Sequence, residues 1–235
     1  MHPSRTTSSL LLLFLLLFLF LLLLLFLSHS FSFCLNLETH KSTGMTKTRL
    51  EAFSDGVIAI IITIMVLELK TPHGSNWEAI KPVLHPFLSY ALSFLLVAIY
   101  WGNHHHLLHA ISHINSRIIW ANTHLLFWLS LVPFATGWAG EHFEPIPIAT
   151  YAAIQACCGI AYYILLRTII SSQPHQAVLK ESLDKQSGKG TFSLIIYLLA
   201  IPAAFFHPAI STGMFVVVAI TWLIPDRNIE KALKD

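Results

Sequence analysis

Long apolar runs recur along this chain, and short polar stretches separate them. From residue 45 onward we distinguish six, at about 50–69, 84–103, 118–138, 150–170, 191–206 and 209–224. Most approach the roughly 20 residues that a helix needs to cross a bilayer, and they lack the alternation of a membrane β-strand. The pattern therefore predicts an all-α polytopic membrane protein, built as a six-transmembrane-helix bundle.

The stretches between the runs predict how the helices follow one another. Only His207-Pro208 separates the last two runs, so we expect a tight helical hairpin there. Residues 171–190 are rich in Ser, Gln, Lys and Gly and are predicted to form a solvated connector. Without a convincing internal repeat, residues 45–235 are predicted to form one six-helix domain.

A leucine-rich leader, residues 1–44, precedes this domain. Residues 10–27 consist of Leu and Phe alone, with Arg5 before them and a Ser-rich stretch after them. The pattern fits a signal peptide or a membrane anchor. A mis-assigned start, with Met45 as the true first residue, fits the sequence too. The three interpretations stay open, and the leader is left out of the fold prediction.

Composition narrows the function classes. The chain is 55% hydrophobic and only 11% charged, far less charged than a soluble domain of this size. A formal net charge of +2 is too small to indicate that the protein binds nucleic acid. The expected surroundings are a lipid bilayer, and the sequence implies no cofactor.

The distribution of Lys and Arg predicts the orientation in the membrane. From residue 45 onward, alternate loops and ends carry ten of these residues on one side of the six helices and two, Lys70 and Lys81, on the other. Cytoplasmic loops are enriched in Lys and Arg, so both ends of residues 45–235 are expected in the cytoplasm. The plasma membrane is the expected location.

The first apolar run carries the polar residues of most interest. Arg49, Ser54 and Asp55 stand at its cytoplasmic start, and a carboxylate inside a membrane helix is costly unless it has a partner. Arg49 is six residues before Asp55, so we expect the partners to come from neighbouring helices. A simple interface anchor, favoured by the helix dipole, is the alternative to a functional network.

An aliphatic stripe follows on the same helix. Ile60, Ile64 and Leu67 are spaced at i, i+4 and i+7, with Thr63 as the polar interruption of the run. At roughly 100° per residue, Asp55 lies about 140° from Ile60 around the helix. The stripe and the carboxylate therefore point in different directions. Ordinary packing against lipid or the core is the alternative to a functional stripe.

Several motifs resemble the transmembrane protein 175 family of potassium channels. The segment Arg49 to Asp55, RLEAFSD, matches the family signature R-x-x-x-F-S-D. Residues 100–105 are similar to the end of the family's second helix, and Asn122 and residues 131–134 are similar to parts of its third. The resemblance extends over about residues 45–222, with a single six-helix repeat as in the prokaryotic members.

The resemblance implies a potassium-permeable, weakly cation-selective channel, a homotetramer whose first helices line a central pore. Aliphatic side chains then form the constriction in place of a carbonyl filter. The implied constriction residues are Ile60, Ile64 and Leu67, with Thr63 adjacent. The signature residues are Arg49, Phe53, Ser54 and Asp55, whose polar members are implied to join a hydrogen-bonded network behind the pore. Potassium ions, lipid and further copies of the chain are the implied partners.

Histidines crowd the end of the second predicted helix, at positions 104, 105, 106, 109 and 113. His105, His109 and His113 would share one helical face and could hold a metal, but no Cys or carboxylate lies nearby in the sequence to complete a site. Structural and interfacial roles are favoured, with a pH response as a further alternative. The predicted partners of the network are Trp101, Asn103, His104, His105, Asn122 and His124.

A proton- or metal-coupled membrane transporter is the alternative function. Transporters are expected to have broken helices and charges at mid-membrane, and the six runs carry almost none. An intramembrane hydrolase would need a nucleophile–base pair or an HExxH motif, and neither stands out. We therefore expect no enzymatic activity.

Overall fold

The computed structural model describes residues 46–109, 111, 113–172 and 177–223, with the course of the backbone alone for residues 177–187. The leader and the basic residues after 223 lie outside the described residues. The described helices are α1 (Lys47–Leu67), α2 (Lys81–His109), α3 (Ser116–Ser130), α4 (Val132–Glu141), α5 (Pro145–Ser172), α6 (Ala177–Phe206) and α7 (Pro208–Leu223). A 3-10 turn, Trp77–Ala79, precedes α2. The predicted all-α class is confirmed.

The six predicted apolar runs are all helical. Five segments are long and apolar enough to cross a membrane, at 47–67, 81–109, 116–141, 145–172 and 188–206. The sixth, α7, is a shorter apolar helix of 16 residues. His207 alone separates α6 from α7, which confirms the predicted hairpin.

Contacts at the two ends of the bundle show that successive passes alternate in direction. Lys47 Nζ donates to the carbonyl of His109, so the start of α1 lies beside the end of α2. Asn115, before α3, donates to Ser172 Oγ at the end of α5 at 3.0 Å. At the opposite end Lys70, after α1, forms an ion pair with Glu141 at the end of α4.

The third pass is two helices rather than one continuous helix. α3 ends at Ser130 and α4 begins at Val132, with Leu131 between them. Pro133 occupies the first turn of α4. Its ring nitrogen has no hydrogen to donate, so a continuous helix would lose one hydrogen bond there, whereas a proline is well tolerated in the first turn of a new helix.

The polar connector predicted at residues 171–190 is largely helix, contrary to expectation. α5 continues to Ser172, and α6 already begins at Ala177. The segment AVLKESLDKQ that opens α6 is composed mainly of good helix formers. Polarity alone therefore did not distinguish a loop from a helix that extends beyond the apolar run.

α5 is the central helix of the bundle. It packs against α3, α4, α6 and α7, while α1 packs against α2, α3 and α4 at one edge. α2 and α4 approach closely at Gly140, where a Cβ would lie 3.1 Å from the Cα of Pro86. α1 therefore has one face against the bundle and another that the described part of the chain leaves uncovered.

Candidate functional site

α1 begins at a side-chain cap and turns one regular face toward the bundle. Thr46 Oγ1 accepts a hydrogen bond from the backbone nitrogen of Arg49, which satisfies one free N–H of the first turn. The buried residues of the helix recur every third or fourth position: Leu50, Ser54, Ile58, Ile61 and Met65. This spacing makes a single stripe that fixes the rotation of α1 about its axis.

The aliphatic stripe predicted from the sequence lies on the uncovered side of α1. Ile60, Ile64 and Leu67 are 58%, 42% and 78% exposed. Thr63 is also exposed and donates to the carbonyl of Ile60 at 2.9 Å. These side chains are therefore not packed in the core that the described residues form.

An open groove runs beside the stripe, between α1 and the third pass. Ile60, Ile64 and Glu68 line it on the α1 side, and Phe134, on α4, is among the residues that line it opposite. Phe134 is largely exposed. The groove thus joins an apolar wall to a carboxylate at the end of α1.

A buried chain of hydrogen bonds connects α1 to α2 and α3. Asn122, on α3, donates from Nδ2 to Ser54 Oγ at 2.9 Å, and its Oδ1 accepts from His104 Nε2, on α2, at 2.6 Å. Ser54 donates in turn to the carbonyl of Leu50 at 2.8 Å. All three linked side chains are buried, where unmet hydrogen-bonding groups are costly.

Asp55 has its own partner on α2. Trp101 donates from Nε1 to Asp55 Oδ1 at 2.9 Å, so the structure brings these two predicted residues together. Phe53 is half-exposed. The Arg49 side chain is exposed and makes no hydrogen bond or ion pair within the part of the chain that the structure describes, so it is not joined to the buried network.

The other predicted partners make different contacts. Asn103 donates to the carbonyl of Ile99 in its own helix at 2.8 Å. His124 accepts from Trp128 Nε1 at 2.9 Å, one turn along α3. The exposed ring of His105 lies beside the rings of Trp101 and His109, with centroid separations of 6.0 and 6.1 Å.

The helical face of three histidines that was considered as a less favoured metal site is not continuous. α2 ends at His109, and His113 lies beyond it, before α3 begins. The helical periodicity that would place His113 over His109 therefore does not apply. Among the described residues, no group of three or more His, Cys, Asp or Glu side chains could hold a metal ion.

Two features next to the stripe were missed by the sequence analysis. One is an exposed flank of small residues, Ala52, Gly56 and Ala59, at i, i+4 and i+7. This spacing could have predicted from the sequence that the three residues share one face of α1. The other is the cluster of Glu68, Lys70 and Glu141 at the opposite end of α1 from Arg49. The Glu141 carboxylate, through its hydrogen bond, raises the pKa of Lys70. No sequence signal pairs Lys70 with Glu141, because helix packing alone brings them together.

Sequence and structure comparisons relate the chain to known proteins. The family profile described as "Endosomal/lysosomal potassium channel TMEM175" matches residues 49–133. A potassium channel of Chryseobacterium sp. (strain P1-3) is 53% identical over 192 residues, which are 81% of this chain and 100% of the relative. A potassium channel of Chamaesiphon minutus is 29% identical over 184 residues, 73% of this chain and 91% of the relative.

A solved structure is similar over most of the chain. It is the crystal structure of a lysosomal potassium-selective channel TMEM175 homolog from Chamaesiphon minutus, with a TM-score of 0.62 and 27% sequence identity. The match covers 76% of this chain and 96% of that one. The arrangement of helices is therefore that of a known membrane channel.

Proposed function

This chain belongs to the TMEM175 family of membrane channels, and from this we propose that it is a potassium channel whose ion pathway is lined by the aliphatic stripe of α1. The stripe carries the proposal, because Ile60, Ile64 and Leu67 are exposed on the face of α1 that the chain leaves uncovered. The protein is an integral membrane protein, and it is not an enzyme.

The proposed constriction acts by size and by the cost of dehydration. Aliphatic side chains offer no oxygen ligands, so an ion that passes them must keep or lose its water without replacement. The constriction, which we propose is a ring of these side chains from several copies, must be narrow enough to remove part of the ion's hydration shell and wide enough to hold water. Potassium is cheaper to dehydrate than sodium, so we propose a weak preference for potassium, with the hydroxyl of Thr63 beside the aliphatic ring.

We propose that the pathway forms at the centre of a homotetramer. One copy supplies a single α1 and cannot enclose a passage with it. The flank of Ala52, Gly56 and Ala59 lies about 40–100° from Ile60 around the helix, and small residues allow membrane helices to approach closely. Copies of α1 packed through this flank would turn their aliphatic stripes toward a common axis.

Gly56→Leu is expected to weaken the assembly. A Cβ at Gly56 meets nothing within 4 Å in its own chain, so a larger side chain is tolerated in the subunit and obstructs only a neighbour. We expect the apparent dissociation constant to rise about tenfold or more, roughly 1.4 kcal/mol. Light scattering or native mass spectrometry across protein-to-detergent ratios measures it.

Gly213→Leu on α7 is the matched control for this substitution. Gly213 is also exposed and also has nothing within 4 Å of a Cβ, but it lies far from the stripe in sequence and on a different helix. It is expected to leave the assembly unchanged. If both variants remain tetrameric to the same dilution, the packing of copies through α1 is wrong.

We propose that the signature residues hold α1 at a fixed rotation. Ser54 and Asp55 are tied to α2 and α3 through Asn122, His104 and Trp101, on the side of α1 away from the stripe. Arg49 has no such tie among the described residues, so we assign the positioning role to Ser54 and Asp55. The network thus serves as positioning machinery and not as the pathway itself.

The transporter alternative is not favoured. The relatives that match over most of their length are named channels. Within the described residues, the divided pass, α3 to α4, breaks at Leu131, two residues before Pro133, and no charged residue lies at the break in the sequence. The break therefore lacks the ionisable groups that mark a coupled transporter.

We also propose an orientation and a division of the chain. Both ends of residues 45–235 are assigned to the cytoplasm of a plasma-membrane protein, which the excess of Lys and Arg on that side supports. Residues 1–44 are assigned to a separate leucine-rich leader, whether signal peptide, anchor or mis-assigned start, on the pattern of their sequence. Tag accessibility in intact cells tests the orientation, and the intact mass of the purified protein tests the leader.

Reconstitution tests the channel function directly. The purified protein in liposomes is expected to release potassium down its gradient, with a reversal potential between potassium and sodium solutions that shows a modest preference for potassium. Empty liposomes are the control. Protein that inserts and assembles but passes no potassium would overturn the proposal.

A further inference from the structure

Glu68 stands at the end of the aliphatic stripe. It is the C-cap residue of α1, directly after Leu67, and it is exposed. At roughly 100° per residue it lies about 40° from Ile64 around the helix, and it lines the same groove as Ile60 and Ile64. A negative charge therefore occupies the end of the proposed ion pathway that is remote from Arg49.

A glycine on α4 makes room for this side chain. A Cβ at Gly137 would lie 3.3 Å from Glu68 Oε2 and 3.5 Å from its Cγ, so a larger residue would press against the carboxylate. Glu68 consequently lies along the edge of the groove, against α4. Packing between α1 and α4 therefore constrains the Glu68 side chain. A glutamate on an open surface would have no such constraint.

The charge of Glu68 is not used for an ion pair in the described part of the chain. Lys70 forms its ion pair with Glu141, although it also lies within electrostatic range of Glu68, and Lys81 pairs with Glu78 at 2.7 Å. A carboxylate at a helix C-terminus also meets the negative end of the helix dipole, which is unfavourable for stability. Since both carboxylate and dipole are negative, together they attract cations.

We propose that Glu68 sets the conductance of the channel by concentrating cations at this end of the pathway and repelling anions. This inference rests on the proposed function, because the fourfold assembly turns one carboxylate per chain into a ring around the axis. Rings of Asp or Glu favour cations in other channels. The effect is long-range and electrostatic, so it depends on ionic strength.

Glu68→Gln in the full chain tests the inference by single-channel recording in KCl. At about 0.01 M salt the Debye length is roughly 30 Å and at 1 M about 3 Å. We expect the conductance of the variant to fall at least about threefold at low salt, and to approach that of the unaltered protein at 1 M as screening removes the effect. In a KCl gradient, its reversal potential should move toward that of chloride.

Glu78→Gln is the matched control, because it removes the same charge from the 3-10 turn, outside the groove. At low salt it should lower conductance clearly less than Glu68→Gln does, because Glu78 lies outside the groove and is paired with Lys81, and at 1 M it should leave conductance unchanged. A second variant, Glu68→Cys, should regain low-salt conductance after reaction with a negatively charged thiosulfonate and not with a positively charged one. The unaltered protein treated with the same reagents controls for its own cysteines.

The outcomes separate this inference from the proposed function. If the unaltered protein conducts and Glu68→Gln matches it at both concentrations, the role of Glu68 is wrong and the channel stands. An equal loss at both concentrations would show a structural defect and also overturn the inference. If the unaltered, assembled protein does not conduct potassium, the proposed function itself fails.

Discussion

Ile60→Asn should raise the potassium conductance several-fold and bring the preference for potassium over sodium close to unity. The side chain of asparagine has fewer apolar atoms than that of isoleucine, and its amide forms hydrogen bonds with water. A ring of four amides would therefore widen and wet the proposed constriction, and ions would pass with more of their hydration shell. Selectivity that depends on the cost of dehydration would fall as that cost disappears.

The matched control for Ile60→Asn is Ile220→Asn on α7. The two isoleucines are similarly exposed in the single chain, at 58% and 52%, so both substitutions place an amide on an uncovered face. Only Ile60 belongs to the stripe. Single-channel conductance and reversal potentials under mixed potassium and sodium are the measurements. Unchanged values for Ile60→Asn, or equal changes in both variants, would remove the stripe from the ion pathway.

Asn122→Leu is expected to destabilise the protein and to reduce the fraction of active channels. Leucine has a similar size but cannot accept from His104 or donate to Ser54, which leaves two buried groups without these partners. Each such group costs about 1–3 kcal/mol in soluble proteins, and hydrogen bonds between membrane helices average nearer 0.6 kcal/mol. We therefore expect a total loss of roughly 1–3 kcal/mol.

Thr123→Val provides the control on the same helix. The hydroxyl of Thr123 donates to the carbonyl of Ile119, one turn earlier in the same helix, at 2.9 Å, and valine has nearly the same shape. Thermal unfolding in detergent should therefore show a clear fall in midpoint for Asn122→Leu and little change for Thr123→Val. Equal midpoints for Asn122→Leu and the unaltered protein would show that the network does not hold α1 in place.

The number and position of the apolar helices could be predicted from the sequence. Each pass is a long apolar run, and its length is set by the bilayer rather than by details of packing. The two faces of α1 were also predictable, because Asp55 and Ile60 are separated by a fixed rotation along any α-helix. These properties depend on one helix at a time, so a single sequence was sufficient.

Properties that depend on contacts between helices could not be predicted with the same detail. Asn122 and His104 were candidates, but their joint contact with Ser54 is set by how α1, α2 and α3 pack. Helix ends were also misjudged: His113 falls outside α2, and the helix that begins at Ala177 occupies most of a predicted loop. Pro133 was visible in the sequence, but only the backbone shows that the third pass is divided into α3 and α4.

The uncovered side of α1 has a consequence for how the copies find one another. In a bilayer, lipid tails cover Ile60 and Leu67 as well as another protein would, so burying them adds little drive toward association. The equilibrium between single and assembled chains would then depend on how closely the small flank around Gly56 packs against a neighbouring copy and on how many lipids compete for that surface. For the proposed tetramer, the subunit-to-lipid ratio, more than salt, should therefore decide how much of the protein is assembled.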